Sequence, residues 1–347
     1  MEAFSDNSSV TDSTFGRSVV WIQLVMAVIS VVGSGSIVVF APFQNLLGTR
    51  EVSALFFMSL ADLLVSFTWL IGPVLLTQTC DNRTACYNLH AVEQIFYISS
   101  FFYTLNYMWV LYLRLKEDYC RNMTSQPSLP PVRTCSLTKV ALVLSCVLPV
   151  LLMVPVFVVG NKFSCSRNLS QAYECLMMHT WVLNGSSDFG GGESCDRIHT
   201  YSVTIFVITF FASSIGILVL LRKVRSLYAR CVVSAHGALD AREWASLGVL
   251  QVQTTLYSAA FAVCWFPAVV LAIAILCTLQ ETHWLFSILY MLQVFTSPSQ
   301  GSLNCLLYGW VRHRYRSLKA LEQRDAATQT PLLRAQKQSR SSEAQAD

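Results

Sequence analysis

Charge is what this chain has least of. Only 13% of its 347 residues are Asp, Glu, Lys or Arg, about half the share of an average soluble domain, too few to cover a water-exposed surface. Histidine is scarce as well. The six, His90, His179, His199, His236, His283 and His313, fall in loops or at the ends of apolar stretches, and none forms a His-x-x-x-His pair. A zinc-hydrolase pattern is therefore absent, and no serine–histidine arrangement sits within the apolar stretches. The twelve cysteines lack zinc-ligand spacing. No enzyme activity, metal, cofactor or nucleic-acid partner is expected. No repeat of 20–50 residues appears, and the halves show none of the symmetry common in transporters.

What is present is apolar length. Apolar and aromatic residues make up 54% of the chain. They gather into seven stretches, about 18–43, 52–77, 91–115, 137–160, 199–221, 250–279 and 282–311. Each reaches the roughly 20 residues that cross a bilayer as a helix. Lipid offers no partners for free backbone amides, so spanning segments of this kind must be helical. The expected fold is an all-α membrane protein, a seven-transmembrane helix bundle over 18–311. The first stretch reads as a signal-anchor and not a cleaved leader: it is long, and Glu2, Asp6 and Asp12 precede it.

Orientation follows from the basic residues. With residues 1–17 outside as a short N-terminus, five of the 24 Lys and Arg (Arg17, Arg83, Lys162, Arg167 and Arg197) lie outside and 19 inside. That asymmetry predicts an external N-terminus and an internal C-terminus. Asn7, Asn82, Asn168 and Asn184 start external Asn-x-Ser/Thr sequons, while Asn122 alone falls inside. Cys80, Cys86, Cys165, Cys175 and Cys195 also fall outside, where disulfides persist. A bridge from Cys86 into the loop 161–198 would pin that loop over the bundle. Cys175 is the preferred partner, Cys165 and Cys195 are alternatives, and a free external thiol with bridges elsewhere stays open. After the last stretch, 312–322 places Tyr315, Leu318 and Leu321 at helical spacing among basic residues, the pattern of an amphipathic helix on a membrane surface with lipid as its partner. Residues 323–347 are polar and read as a disordered cytoplasmic tail.

The residues that interrupt the apolar stretches are the candidate functional ones. A carboxylate at mid-bilayer costs about 2.5–3.5 kcal/mol on insertion scales, so Asp62 must face the bundle interior, with Asn304 a natural partner. Pro267 removes a helix hydrogen bond, and Trp265 sits at the resulting bend, where bulk beside a hinge can make a two-state element. Gln300 and Gly301 follow Ser297-Pro298 in the seventh stretch, and Asn304 and Tyr308 share one helix face four residues apart. Glu93 and Tyr97 also share a face and stand among aromatics. With Trp265 they suggest a site for a small cationic or amphipathic external ligand, the plainer alternative being interfacial anchoring.

These motifs resemble G-protein-coupled receptors. Leu60-Ala61-Asp62-Leu63 is similar to the second-helix acid motif of rhodopsin-like receptors, and Cys264-Trp265-Phe266-Pro267 to their sixth-helix CWxP. Cys86 stands where their third-helix cysteine is expected. Gln300-Gly301 with Asn304 and Tyr308-Gly309 resembles cyclic-AMP and secretin-type receptors more than the usual Asn-Pro-x-x-Tyr. Two departures stand out: Gly33-Ser34-Gly35-Ser36 replaces an expected asparagine, and Arg114 in Leu113-Arg114-Leu115 has no adjacent acid. The resemblance implies signal transduction at the plasma membrane, with an unknown extracellular ligand biasing Trp265 and the seventh helix. The internal ends, Arg114 included, would then open to a heterotrimeric G protein. The alternatives are a receptor-shaped scaffold without that coupling and, less favoured, a transporter or channel.

Overall fold

The computed structural model describes residues 2–43, 48–77, 83–123, 131–168, 192–234, 241–277, 283–318 and 320. All of the regular structure among them is helical. The elements are α1 (Glu2–Phe43), α2 (Arg50–Thr77), α3 (Arg83–Met123), α4 (Pro131–Lys162), α5 (Gly192–Ser234), α6 (Ala241–Leu276) and α7 (His283–Thr296), with a 3-10 turn at Cys165–Asn168 after α4. A two-residue break at 297–298 separates α7 from a further helical run at 299–318.

Five helices are long and apolar enough to cross a membrane: Ser18–Phe43, Arg50–Leu75, Ser136–Lys162, Glu193–Cys231 and Ala245–Leu276. The chain is thus an integral, multi-pass membrane protein. The other two expected spans differ for physical reasons. α3 packs against α2, α4, α5 and α6, so its surface meets protein instead of lipid and accepts polar residues. Gln94, Ser99, Ser100, Thr104 and Asn106 are all buried along it. α7 ends at Thr296 because proline in Ser297-Pro298 cannot continue the backbone ladder. The helical run 299–318 passes without interruption through the junction at 311/312, where a separate surface helix was expected. α1 starts at Glu2, well before its apolar part at Ser18. The tail 323–347 lies outside the described residues.

Two glycines set how closely the first and last helices approach. A Cβ on Gly33 would lie 2.7 Å from the Ser302 Cα, a backbone atom that cannot yield cheaply. A Cβ on Gly301 would collide with the Ser34 and Ser30 hydroxyls. In lipid, where helices gain little by hiding apolar area from one another, such close contact of small residues is what holds them together. This is the reason for Gly33 and Ser34 in α1. By contrast, a Cβ on Gly35 would meet only Leu63 Cδ1, at 3.9 Å. Gly33→Ala should therefore cost about 1–3 kcal/mol through overpacking, while Gly35→Ala should be neutral or slightly stabilising. Thermal unfolding of the two variants in detergent checks this, and equal midpoints would refute the role given to Gly33.

Candidate functional site

The buried polar residues of α2, α3, α6 and the 299–318 run form one connected cluster. Asp62, only 4% exposed, uses both carboxylate oxygens. Ser100 Oγ donates to Oδ1 at 2.7 Å and Asn304 Nδ2 to Oδ2 at 2.8 Å. Gln300 Nε2 in turn donates to Ser100 Oγ at 3.0 Å, and the Trp265 indole N–H donates to Gln300 Oε1. Asp62, Trp265, Gln300 and Asn304, of which sequence paired only Asp62 with Asn304, thus belong to a single network. Ser100 is its missing member. Nothing in the sequence distinguishes it from the other small hydroxyls of α3.

Trp265 continues the network through its ring. It meets Tyr97 at 4.9 Å and Phe101 at 4.8 Å between centroids, both edge-on. Such aromatic pairs contribute about 0.5–1.5 kcal/mol beyond area burial. Tyr97 then donates its hydroxyl to Glu93. Glu93 also accepts from the Trp69 indole and lies 3.2 Å from His90 Nδ1. The structure thus brings Glu93, Tyr97 and Trp265 together as the sequence suggested, but the Glu93 carboxylate is engaged by Trp69, Tyr97 and His90. Trp69 was not singled out from sequence, and His90 was named only among the histidines that fall in loops or at the ends of apolar stretches.

The two proline breaks face each other. Pro267 lies inside α6, and the carbonyl of Cys264, one turn before it, accepts from Thr296 Oγ1 at 3.1 Å and Ser297 Oγ at 3.2 Å. Those hydroxyls sit where α7 stops. Beyond them Gly301 packs on α1, Tyr257 of α6 donates to the Asn304 carbonyl at 3.4 Å, and Tyr257 stacks edge-on against Tyr107, 4.9 Å between centroids. Tyr107 accepts from Gln253 Nε2 at 2.7 Å.

Tyr107 and Gln253 open onto a cavity of about 640 Å³ at the Arg114 end of the bundle, lined also by Arg114, Tyr308, Arg312 and Arg316. Arg114 does not stand alone. It forms an ion pair with Glu51 of α2, and its guanidinium lies 5.6 Å from the Tyr315 ring centroid. Beside it Arg50 holds Glu117 with two contacts of 2.8 and 2.7 Å. The acid missing next to Arg114 in α3 is supplied across the helix pair, by the reversed order Arg50-Glu51 against Arg114 and Glu117.

At the opposite, Cys86 end, Cys165 and Cys195 form a disulfide, their Cα atoms 5.4 Å apart, joining the turn after α4 to the start of α5. Cys86 is itself disulfide-bonded, so neither Cys165 nor Cys195 is its partner. Cys175 lies outside the described residues, as do Asn82 and Asn184. Asn7 falls within α1 and Asn168 closes the 3-10 turn.

The family model for Transmembrane protein 116 (TMEM116) matches residues 17–342, nearly the whole chain. The chain belongs to the TMEM116 family. That membership corrects the resemblance to G-protein-coupled receptors: TMEM116 is a transmembrane protein family, and not one of theirs. The likeness rested on short motifs combined with the expected seven-span topology, and the physics of a helix bundle gives the two main motifs a reason of their own. An interior acid needs interior hydroxyl and amide partners, and a proline-bent helix needs bulk packed beside it. The departures in α1 and at Arg114 both have a structural reason in this TMEM116 chain, the contact of Gly33 with Ser302 and the ion pair of Arg114 with Glu51.

The Trp265–Gln300 bond predicts measurable coupling. In a double-mutant cycle of Trp265→Phe and Gln300→Ala, thermal stability should show an interaction energy above about 0.5 kcal/mol. Strictly additive effects would mean that the two side chains are merely adjacent.

Proposed function

We propose that this TMEM116-family protein transmits a signal across the membrane by switching its helix bundle between two packings. In this reading all seven apolar stretches span the bilayer, with the N-terminus outside and the Arg114 end in the cytosol, and the membrane is the plasma membrane. The observation that carries it is the line of contacts from Glu93 through Tyr97, Trp265, Gln300, Ser100, Asp62, Asn304, Tyr257 and Tyr107 to the Arg114 cavity. It passes both proline breaks, the points where helices of this length bend. A packed core is bistable and not continuously deformable, so a small displacement at one end is expressed as a change of packing at the other.

An external ligand that competes for the Glu93 carboxylate would free Tyr97 and let Trp265 change its place against Gln300. Movement of the 299–318 run would then carry Tyr308, Arg312 and Tyr315 relative to α3 and strain the Arg114–Glu51 pair. Opened, the cavity offers three guanidinium groups, which suit an acidic or carboxylate-ended segment of a cytosolic protein. A heterotrimeric G protein is one partner of that chemistry. The two crossed ion pairs are partly exposed and so individually weak, each about 1 kcal/mol or less. Weak locks of this size suit a switch, because a ligand shifts a population only by its differential affinity for the two states.

The test uses the full chain in nanodiscs, with a fluorophore pair reporting the distance between the end of α3 and the 299–318 run. Glu51→Gln and Trp265→Ala should each raise the open population several-fold over wild type and change basal nucleotide exchange on a panel of G-protein α subunits. A single, unshifted distance in all three proteins would mean a static bundle and sink the proposal. A shifted distance with flat exchange would keep the switch and point to another class of cytosolic partner.

A further inference from the structure

The cavity at the Arg114 end carries a pattern beyond its net charge. Three of its lining residues, Tyr308, Arg312 and Arg316, come from the uninterrupted helical run 299–318. Residues four apart share one helix face, so the three form a row. Arg312 lies one turn beyond Tyr308 and Arg316 two turns beyond it, about 6 and 12 Å along the axis at about 1.5 Å per residue. Exposure rises along the row: Tyr308 and Arg312 are half-buried, and Arg316 is exposed. The facing helices repeat that gradient. Leu55 of α2 and Tyr107 of α3 line the deep end, while Glu51 and Arg114, further out along the same helices, line the mouth.

The two ends of the row differ from their neighbours in their contacts. Tyr107 already stacks on Tyr257, and Arg114 is matched by Glu51. By contrast, the Tyr308 ring stacks on no other ring and Arg316 pairs with no carboxylate among the described residues. A half-buried aromatic face takes up a flat base, and a guanidinium takes up phosphate oxygens two at a time. A ligand that uses the whole row therefore has a flat ring at one end and phosphates at the next two turns. An acidic peptide segment brings no base for Tyr308, and a lone phosphate does not reach from one end to the other.

We propose that this cavity binds a purine nucleoside diphosphate. Its base lies on Tyr308 at the deep end, its α-phosphate meets Arg312, and its β-phosphate meets Arg316 at the solvated mouth. The base is thus sheltered and the charge is not buried. Glu51 does not repel the phosphates, because Arg114 neutralises it. A cavity of about 640 Å³ is of the size that small-ligand and cofactor sites have. The assignment rests on the reading above only in taking this end as cytosolic, the side from which the nucleotide would enter.

Isothermal titration of the full chain in nanodiscs with adenosine diphosphate tests this, with adenosine monophosphate and inorganic pyrophosphate as comparisons. Nanodiscs present both faces to solvent, so the result depends neither on orientation nor on switching. A bundle that binds the nucleotide but shows one fixed distance would sink the switch and keep this site. A one-to-one complex with the diphosphate is expected, about tenfold tighter than either comparison, the scale of one charge-assisted contact or one stacked base. Arg316→Gln should lower the diphosphate to the affinity of the monophosphate and leave the monophosphate unchanged. Tyr308→Leu should weaken both nucleotides about tenfold and leave pyrophosphate unchanged, whereas Tyr308→Phe should bind as wild type does. Arg316 is exposed, so its replacement leaves the fold intact and is informative even where Tyr308→Leu misfolds. Three results would each overturn the proposal: no saturable complex with the diphosphate, pyrophosphate binding as tightly as the diphosphate, or an Arg316→Gln protein that keeps the wild-type preference for diphosphate over monophosphate.

Discussion

The Asp62 carboxylate constrains the rest of the bundle. Buried in a helix that faces lipid on its other side, it has no water to solvate it, and its two oxygens must be met by protein donors. Ser100 and Asn304 meet them, fixing α2 against α3 on one side and against the 299–318 run on the other. Gln300 is then oriented by Ser100, and Trp265 by Gln300. The rotation and depth of four helices follow from the need to satisfy a single acid. Apolar packing alone would not choose them, since lipid chains are as apolar as the leucines they touch.

This dependence explains what was legible in the sequence. Helix type and approximate extent could be read for five spans, because apolar length is a local property and lipid enforces it. α3 also announced itself as a long apolar stretch, although its polar residues are explained only by the helices around it. Asp62, Trp265, Pro267, Gln300, Gly301 and Asn304 each stood out as an anomaly within its own helix. Beyond the pairing of Asp62 with Asn304, their union in one network could not be read, since Ser100, which joins Asp62 to Gln300, is an ordinary serine until three helices converge on it. Arg114 shows the same limit from the other side. No acid adjoins Arg114 in the sequence, and Glu51, which pairs with it, belongs to the start of α2. The opposed order Arg50-Glu51 against Arg114 and Glu117 was present all along as a charge pattern, but only pairing the two helix ends gives it meaning.

Short motifs misled for a related reason. Cys264-Trp265-Phe266-Pro267 is a solution to packing bulk beside a bent helix, and any bundle facing that problem can arrive at it. The match over residues 17–342 integrates the whole chain and so outweighs any four residues. The local chemistry nonetheless remains informative about mechanics. A proline bend and a neighbouring indole do the same physical work whatever the ancestry, which is why the switching proposal rests on geometry and survives the loss of the family resemblance.

The two proline breaks also argue that the bundle's bending is coordinated and not local slack. Pro267 has no N–H to offer the carbonyl four residues before it, that of Val263, and beside that gap the α6 backbone gains contacts from another helix. Next to the bend in α6, the Cys264 carbonyl accepts the hydroxyls of Thr296 and Ser297, residues at the end of α7. One helix's bend is thus tied to the other's termination. Straightening either would withdraw hydroxyl donors from that shared carbonyl. The same few residues therefore hold the resting packing together and make any departure from it a joint movement of α6, α7 and the 299–318 run. Since that run carries Asn304 at one level and Tyr308, Arg312 and Tyr315 at another, a movement permitted at the breaks cannot leave both Asp62 and Arg114 undisturbed.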